Sequence, residues 1–184
     1  MPSSNFLSTP MGGSSTAKYD FGGVSELYLL PLTKLTSTTD VLDAFGTVTS
    51  ITGMALASGV TFQEIGFVEY TAGYTDAFKL AGTKKYMDVT LSFTVDVAGA
   101  AANEQANQII LTRKHVALVK RKSGKWYLLG QTDGLIPTES SANSGLKKED
   151  ESSMTFVLNG GNKGFAAQVI MDEVALKAML TRVV

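Results

Sequence analysis

The sequence predicts a mostly β fold, an antiparallel β-sandwich or barrel with one flanking α-helix, a long hairpin and extended terminal arms. Three observations predict it. From Met87 to Val97 the apolar residues Met87, Val89, Leu91, Phe93, Val95 and Val97 alternate with Asp88, Thr90, Ser92, Thr94 and Asp96. A period of two puts each set on its own face of a strand, whereas a helix would smear both around its circumference. Other short apolar and aromatic segments stop at Pro or Gly, as strands between turns do. The period changes in one clear place, between Ala101 and Arg113, where Ala102, Ala106, Ile109 and Ile110 follow helical spacing.

In chain order, residues 1–20 are rich in Ser, Gly and Thr and read as a flexible N-terminal arm. It is either a disordered tail or an arm that orders against a neighbouring subunit, with Phe6, Leu7 and Met11 as anchors. Residues 21–170 form the expected β domain, and residues 171–184 a terminal helix or docking arm. The first strand runs from Val24 to Leu30 and ends at Pro31. Thr47 to Leu56 is a weaker strand, broken by Gly53, and Thr61 to Tyr70 is a further one. Tyr74 to Lys85 pairs with the alternating strand as a long hairpin turning at Ala81-Gly82-Thr83-Lys84, with Phe78 and Leu80 on the apolar side. Hairpins of this length and composition project beyond a core as well as serving in a meander.

The helix from Ala101 to Arg113 takes Asn103 as its N-cap and Glu104 in its first turn. Arg113 and Lys114 stand at its end, matching the helix dipole. Val116 to Lys120 and Lys125 to Gly130 make the next hairpin, with Gly124 in the left-handed position of the turn Arg121-Lys122-Ser123-Gly124. Asn143 to Glu151 is a polar loop. Met154 to Leu158 is a strand ended by Asn159-Gly160-Gly161-Asn162. In the last segment Val174, Ala175, Ala178 and Met179 stand at helical spacing.

Composition narrows the function. Of the 184 residues, 44% are hydrophobic and 18% charged, the latter below the globular average of about 25%. Much of the surface must then be Ser, Thr, Gly, Asn and Ala, which cost little to desolvate and suit packing against another protein. Sixteen Lys and Arg against seventeen Asp and Glu give a net charge of −1, so there is no global basic field to hold nucleic acid. DNA in transit through a neutral or mildly acidic channel remains compatible with that charge. The absence of cysteine excludes disulfides, thiolate metal sites and cysteine nucleophiles. Met1 to Tyr19 lacks the apolar segment of a signal peptide, and no run approaches the roughly 18 apolar residues of a membrane span. A soluble protein made in the cytoplasm is the expectation.

The residues offer little chemistry, and the expectation is a protein that is not an enzyme, with no catalytic, metal or cofactor residues. His115 is the only histidine; it stands between a basic helix end and an apolar strand, with no Gly-x-Ser-x-Gly elbow in the chain, and reads as structural. Asp40 and Asp43 lie three apart without calcium-loop spacing, and Glu149-Asp150-Glu151 beside Lys147 and Lys148 reads as a solvated loop. Gly160-Gly161-Asn162-Lys163-Gly164 lacks the spacing of a phosphate cradle and reads as a turn. Arg113, Lys114, Lys120, Arg121, Lys122 and Lys125 near Trp126 and Tyr127 mix cations with rings, as single-strand binders do, though here the rings belong to a core hairpin.

One phrase carries a family likeness. The helix Gln105-Ala106-Asn107-Gln108-Ile109-Ile110-Leu111 is followed by the strand Val116 to Lys120, the segment Ser123-Gly124-Lys125-Trp126-Tyr127-Leu128-Leu129-Gly130, and Asp133-Gly134-Leu135. Together with the alternating strand, this resembles structural proteins from phages and prophages of Bacteroides-type bacteria, over roughly Thr61 to Leu158. The resemblance implies a tail tube (major tail) protein, or a related ring protein of the tail or neck. Such subunits are β-sandwiches flanked by a helix. They form hexameric rings that stack into a tube, with a hairpin and terminal arms reaching the next ring. The implied partners are copies of itself, the tape-measure protein and other tail or neck proteins, with DNA only in transit and no membrane. The implied location is the virion, after synthesis in the host cytoplasm. No motif marks the side facing the lumen. The alternative from the residues is a carbohydrate- or protein-binding sandwich, a fibre or adhesion module, in which Trp126 with Tyr127, Tyr70 or Tyr74 forms a stacking platform. A hydrolase centred on His115 is the third reading.

Overall fold

The computed structural model describes residues 23–96, 100–143 and 152–182. The expected N-terminal arm, the end of the alternating strand at Val97, most of the polar loop before Ser153, and Val183 lie outside the described residues. The described chain is mostly β. Its strands are β1 (Val24–Pro31), β2 (Leu35–Leu42), β3 (Val48–Leu56), β4 (Phe62–Glu64), β5 (Gly73–Ala81) and β6 (Lys84–Val95). After helix α1 (Ala100–Leu111) come β7 (His115–Arg121), β8 (Trp126–Leu129), β9 (Ile136–Asn143), β10 (Ser153–Asn162) and β11 (Ala167–Val169). Helix α2 (Glu173–Ala178) and β12 (Leu180–Thr181) end it, and a 3-10 turn covers Leu32–Lys34. No described helix is long and apolar enough to cross a membrane.

Two sheets face one another. One has eight strands in the order β12-β4-β1-β7-β8-β11-β3-β2; the other has four, β5-β6-β10-β9. Between them lies a first core, in which Val89, Leu91 and Phe93 of β6 and Phe156 and Leu158 of β10 meet Leu27 and Leu29 of β1 and Ala117 and Val119 of β7. Phe93 and Phe156 stack with ring centroids 5.3 Å apart. The period-2 pattern of β6 is therefore read correctly: its apolar row is buried, and Thr90, Ser92 and Thr94 take the other face. On the far side of the larger sheet is a second core, built from Tyr28, Leu30, Ile51, Phe62, Val116, Leu118, Leu128 and Leu176. Strands β4 and β3 stand five places apart in the sheet order, which in a flat sheet means roughly 24 Å at about 4.8 Å per strand. Their side chains reach one cluster because the sheet curls into a half-barrel around it.

Strands β1 and β7 form the spine shared by both cores. Their alternate residues point opposite ways and every direction is apolar, which explains why Leu27 to Leu30 and Val116 to Val119 are unbroken hydrophobic runs. The β7–β8 turn closes as expected: Gly124 has φ +83°, its N–H bonds Arg121 O at 2.8 Å, and Arg121 N–H bonds Lys125 O at 2.9 Å.

Several expectations are corrected. Strand β3 continues through Gly53 and β10 through Gly160 and Gly161, which pair with Val89 and Asp88 of β6. A Cβ on Gly160 would lie 2.3 Å from Gly134 O, so glycine there admits a crossing backbone and does not mark a turn. Only Phe62–Glu64 of the stretch Thr61 to Tyr70 is strand. Beyond it Ile65 and Phe67 pack on the first core from irregular backbone, and Tyr70 has φ +65°. Helix α1 begins at Ala100, so Asn103 lies within the helix and is not its N-cap, and Ile110 is exposed. In α2 the buried residue is Leu176, while Val174 is exposed; Asp172 caps the helix by accepting from Ala175 N–H at 3.1 Å. Two ladders, β11 with β3 and β12 with β4, are parallel in an otherwise antiparallel fold. The exposed strand β2 and the edge strand β9 carry too little apolar signal to be foreseen.

Candidate interaction surfaces

His115, Asp40, Asp43 and the rings of the β7–β8 hairpin make contacts within the fold. His115 opens β7, buried, and its backbone bonds Leu135 in both directions at 2.8 and 2.7 Å. Its Nε2 lies 2.8 Å from Ile109 O, the geometry of a donor closing an unpaired carbonyl in the last turn of α1. Burial pushes its pKa below 6.5, and the Ile109 and Thr112 carbonyls oppose that shift. No described carboxylate or hydroxyl bonds it. Asp43 Oδ1 accepts from Phe45 and Thr47 N–H, both at 2.8 Å, and holds the β2–β3 loop; Asp40 accepts from Gln131 Nε2 at 2.9 and 2.8 Å. Among the described residues no three His, Asp or Glu groups converge as metal ligands do. The acidic run 149–151 lies outside the described residues.

Three cations of the β7–β8 hairpin, Lys120, Arg121 and Lys122, lie over rings. Lys120 Nζ is 5.1 Å from the Trp126 ring centre and 2.7 Å from Glu26 Oε1. The Arg121 guanidinium covers Tyr127 at 4.3 Å and Tyr74 at 5.1 Å, and Lys122 Nζ covers Tyr70 at 3.6 Å. Trp126 packs on the second core and Tyr127 on the first, so the two neighbours face opposite sides of the sheet. Tyr74 and Tyr127 do meet, with centroids 6.2 Å apart. Beside them Asp76 Oδ2 accepts from Ala166 N–H at 2.9 Å, tying that loop to β5. Burial pushes the Asp76 carboxyl up, and the Ala166 N–H and Arg121 charge oppose it.

The unsatisfied surface is apolar and lies elsewhere. Strands β5 and β6 pair without a register shift from Gly73↔Ser92 to Ala81↔Lys84, leaving Gly82 and Thr83 as the turn. The pleat puts Tyr74, Asp76, Phe78 and Leu80 on the face that carries Leu91, Val89 and Met87. The inner half of that row is covered by the other sheet; the outer half runs past it. Phe78 and Leu80 are 60% and 61% exposed, whereas Met87 is buried. Phe78 and Leu80 thus stand on the expected side and are largely exposed. Tyr86 is exposed on the opposite face, and the β2–β3 loop presents Phe45 at 90%.

At the other end of β6 a groove of about 590 Å³ opens between α1 and the sandwich. Leu29, Ile65, Val95, Ile109, Met154 and Phe156 line it, and the small side chains of Ala102 and Ala106 keep the helix from filling it. Gln105 and Gln108, both exposed, also line it, and Glu64 is the one carboxylate among its described lining residues. Phe78 and Leu80 were legible as members of the apolar row; the groove was not, because it depends on where α1 lands. Comparison with known protein families, curated proteins and solved structures finds no match to this chain.

Proposed function

We propose that this chain is a virion structural protein that assembles with copies of itself into stacked rings, forming a phage tail tube through which DNA passes. One observation carries the assembly: the β5–β6 hairpin holds its pairing past the edge of the core and leaves Phe78 and Leu80 largely exposed. An isolated two-stranded ribbon with an apolar face is at best marginal in water, so such a tip gains most when another subunit covers it. The four-stranded sheet also ends in β5 and β9, whose outer edges no described strand pairs, and edges are what a closed ring completes. The likeness of the helix-and-hairpin phrase to tail proteins supplies the kind of assembly, a hexameric ring working with a tape-measure protein and other tail or neck proteins. A net charge of −1 suits a wall that DNA passes without being held.

Purified full-length protein examined by sedimentation velocity and negative-stain electron microscopy tests this. The expected result is high-mass species with ring or tube profiles. A single monomeric species at the highest attainable concentration overturns the reading.

A further inference from the structure

We infer that a second groove, between the end of α1 and the start of β9, binds a free aliphatic carboxylate, its chain on an apolar floor and its head group on Arg113 and Lys114. The inference is independent of the self-assembly reading, because one chain supplies every group that lines the groove. The groove has a volume of about 640 Å³, in the size range of pockets that bury small ligands. Pro31, Leu32, Ile110, Ile136 and Pro137 give it an aliphatic lining. Ile110 is 43% exposed and Ile136 45%, so two large apolar side chains stand in water where the groove opens. Single exposed apolar residues are ordinary, but these two come from α1 and β9 and are brought to one concave surface.

Bonds within the fold hold these walls in place. Leu32 N–H bonds Lys114 O at 2.9 Å, which ties the 3-10 turn to the residue before β7. The paired bonds between His115 and Leu135, at 2.8 and 2.7 Å, set the position of Ile136, the next residue. His115 Nε2 holds Ile109 O, and with it the turn of α1 that carries Ile110. A surface fixed in advance spends little ordering entropy on binding. The charges then select the ligand. Arg113 and Lys114, both exposed, line the groove, and no Asp or Glu does. Among the described residues neither cation is in an ion pair. Asp133 and Glu139, the carboxylates closest in sequence to Ile136, lie outside the lining. The dipole of α1 accounts for cations at its end, but not for an open apolar floor beside them. A phosphate backbone would meet the cations and leave that floor wet, whereas an aliphatic carboxylate meets both. Thr33 and Thr112 also line the groove, and their hydroxyls can donate to the head group.

The probe is octanoate, titrated into the full-length protein at pH 7.5 and low salt by isothermal titration calorimetry, with butanoate, octan-1-ol and octylammonium as comparisons. Octanoate is expected to bind one per chain and about tenfold tighter than octan-1-ol, the worth of one charge-assisted contact. At about twofold per methylene on a floor open to solvent, butanoate is expected to bind roughly tenfold more weakly than octanoate. Two pairs of substitutions, all at exposed positions, locate the site. Arg113→Gln with Lys114→Gln is expected to lower octanoate to the level of octan-1-ol and to leave the alcohol unchanged. Ile110→Ser with Ile136→Ser is expected to weaken both ligands. Thermal unfolding at the wild-type temperature shows that each variant is folded. No binding of octanoate, equally tight binding of the alcohol or of octylammonium, or octanoate binding that survives either pair of substitutions overturns the inference.

Discussion

His115 is buried where an imidazolium would be poorly solvated, and it spends its Nε2 on the last turn of α1. Its pKa is depressed in the fold, so below about 6.5 the unfolded chain binds the proton that the folded chain resists. Stability contributed by the neutral ring is therefore present above that pH and is lost as pH falls through the folded pKa. Urea unfolding of wild type and His115→Gln at pH 7.5 and 5.0 checks this: the wild type is expected to lose more stability between the two pH values than the variant, which cannot titrate there. Parallel losses would refute it. Gly160 makes a second residue-scale case. Gly160→Ala drives a Cβ into the Gly134 carbonyl and is expected to cost about 1–3 kcal/mol or more. Gly73→Ala, at a strand position with open space around it, should cost well under that in the same urea titration.

Elements differ in how far local pattern predicts them. Strand β6 was readable because one face is buried in a single core, so polarity alternates along it. Helix α1 was readable from its spacing, although Ile110 left the stripe and is exposed. The terminal segment, expected as a helix or a docking arm, is helical over Glu173–Ala178, and its buried residue is Leu176 and not the expected Val174. Six residues allow two apolar stripes, and only the docking of the C-terminal segment selects Leu176 over Val174. Leu176→Ala should accordingly destabilise the protein by about 2–5 kcal/mol, and Val174→Ala by less than about 0.5 kcal/mol. Thermal unfolding followed by circular dichroism distinguishes them; equal losses would mean that the face is misassigned.

At the scale of the whole molecule, the two cores share β1 and β7, whose residues alternate between them. Neither core can lose its packing without disturbing strands that the other needs, so one cooperative transition is expected. Trp126, the only tryptophan, packs on the second core and reports it by fluorescence, while far-ultraviolet circular dichroism reports both sheets. The two signals should trace a single urea curve, and separated midpoints would show that the cores unfold independently. The same two-core design explains what could be read directly. Alternation, helical spacing and the glycine turn at 124 are local, so the sequence by itself determined the mostly β class, the long hairpin, the β7–β8 hairpin and α1. It also determined the lack of thiol chemistry. What only the tertiary structure decided involves partners distant in the chain: the parallel pairings of β11 with β3 and β12 with β4, the strand role of Gly160 and Gly161, and the groove beside Val95. Those features depend on which surfaces meet after the larger sheet curls, and a residue's immediate neighbours carry no record of that meeting.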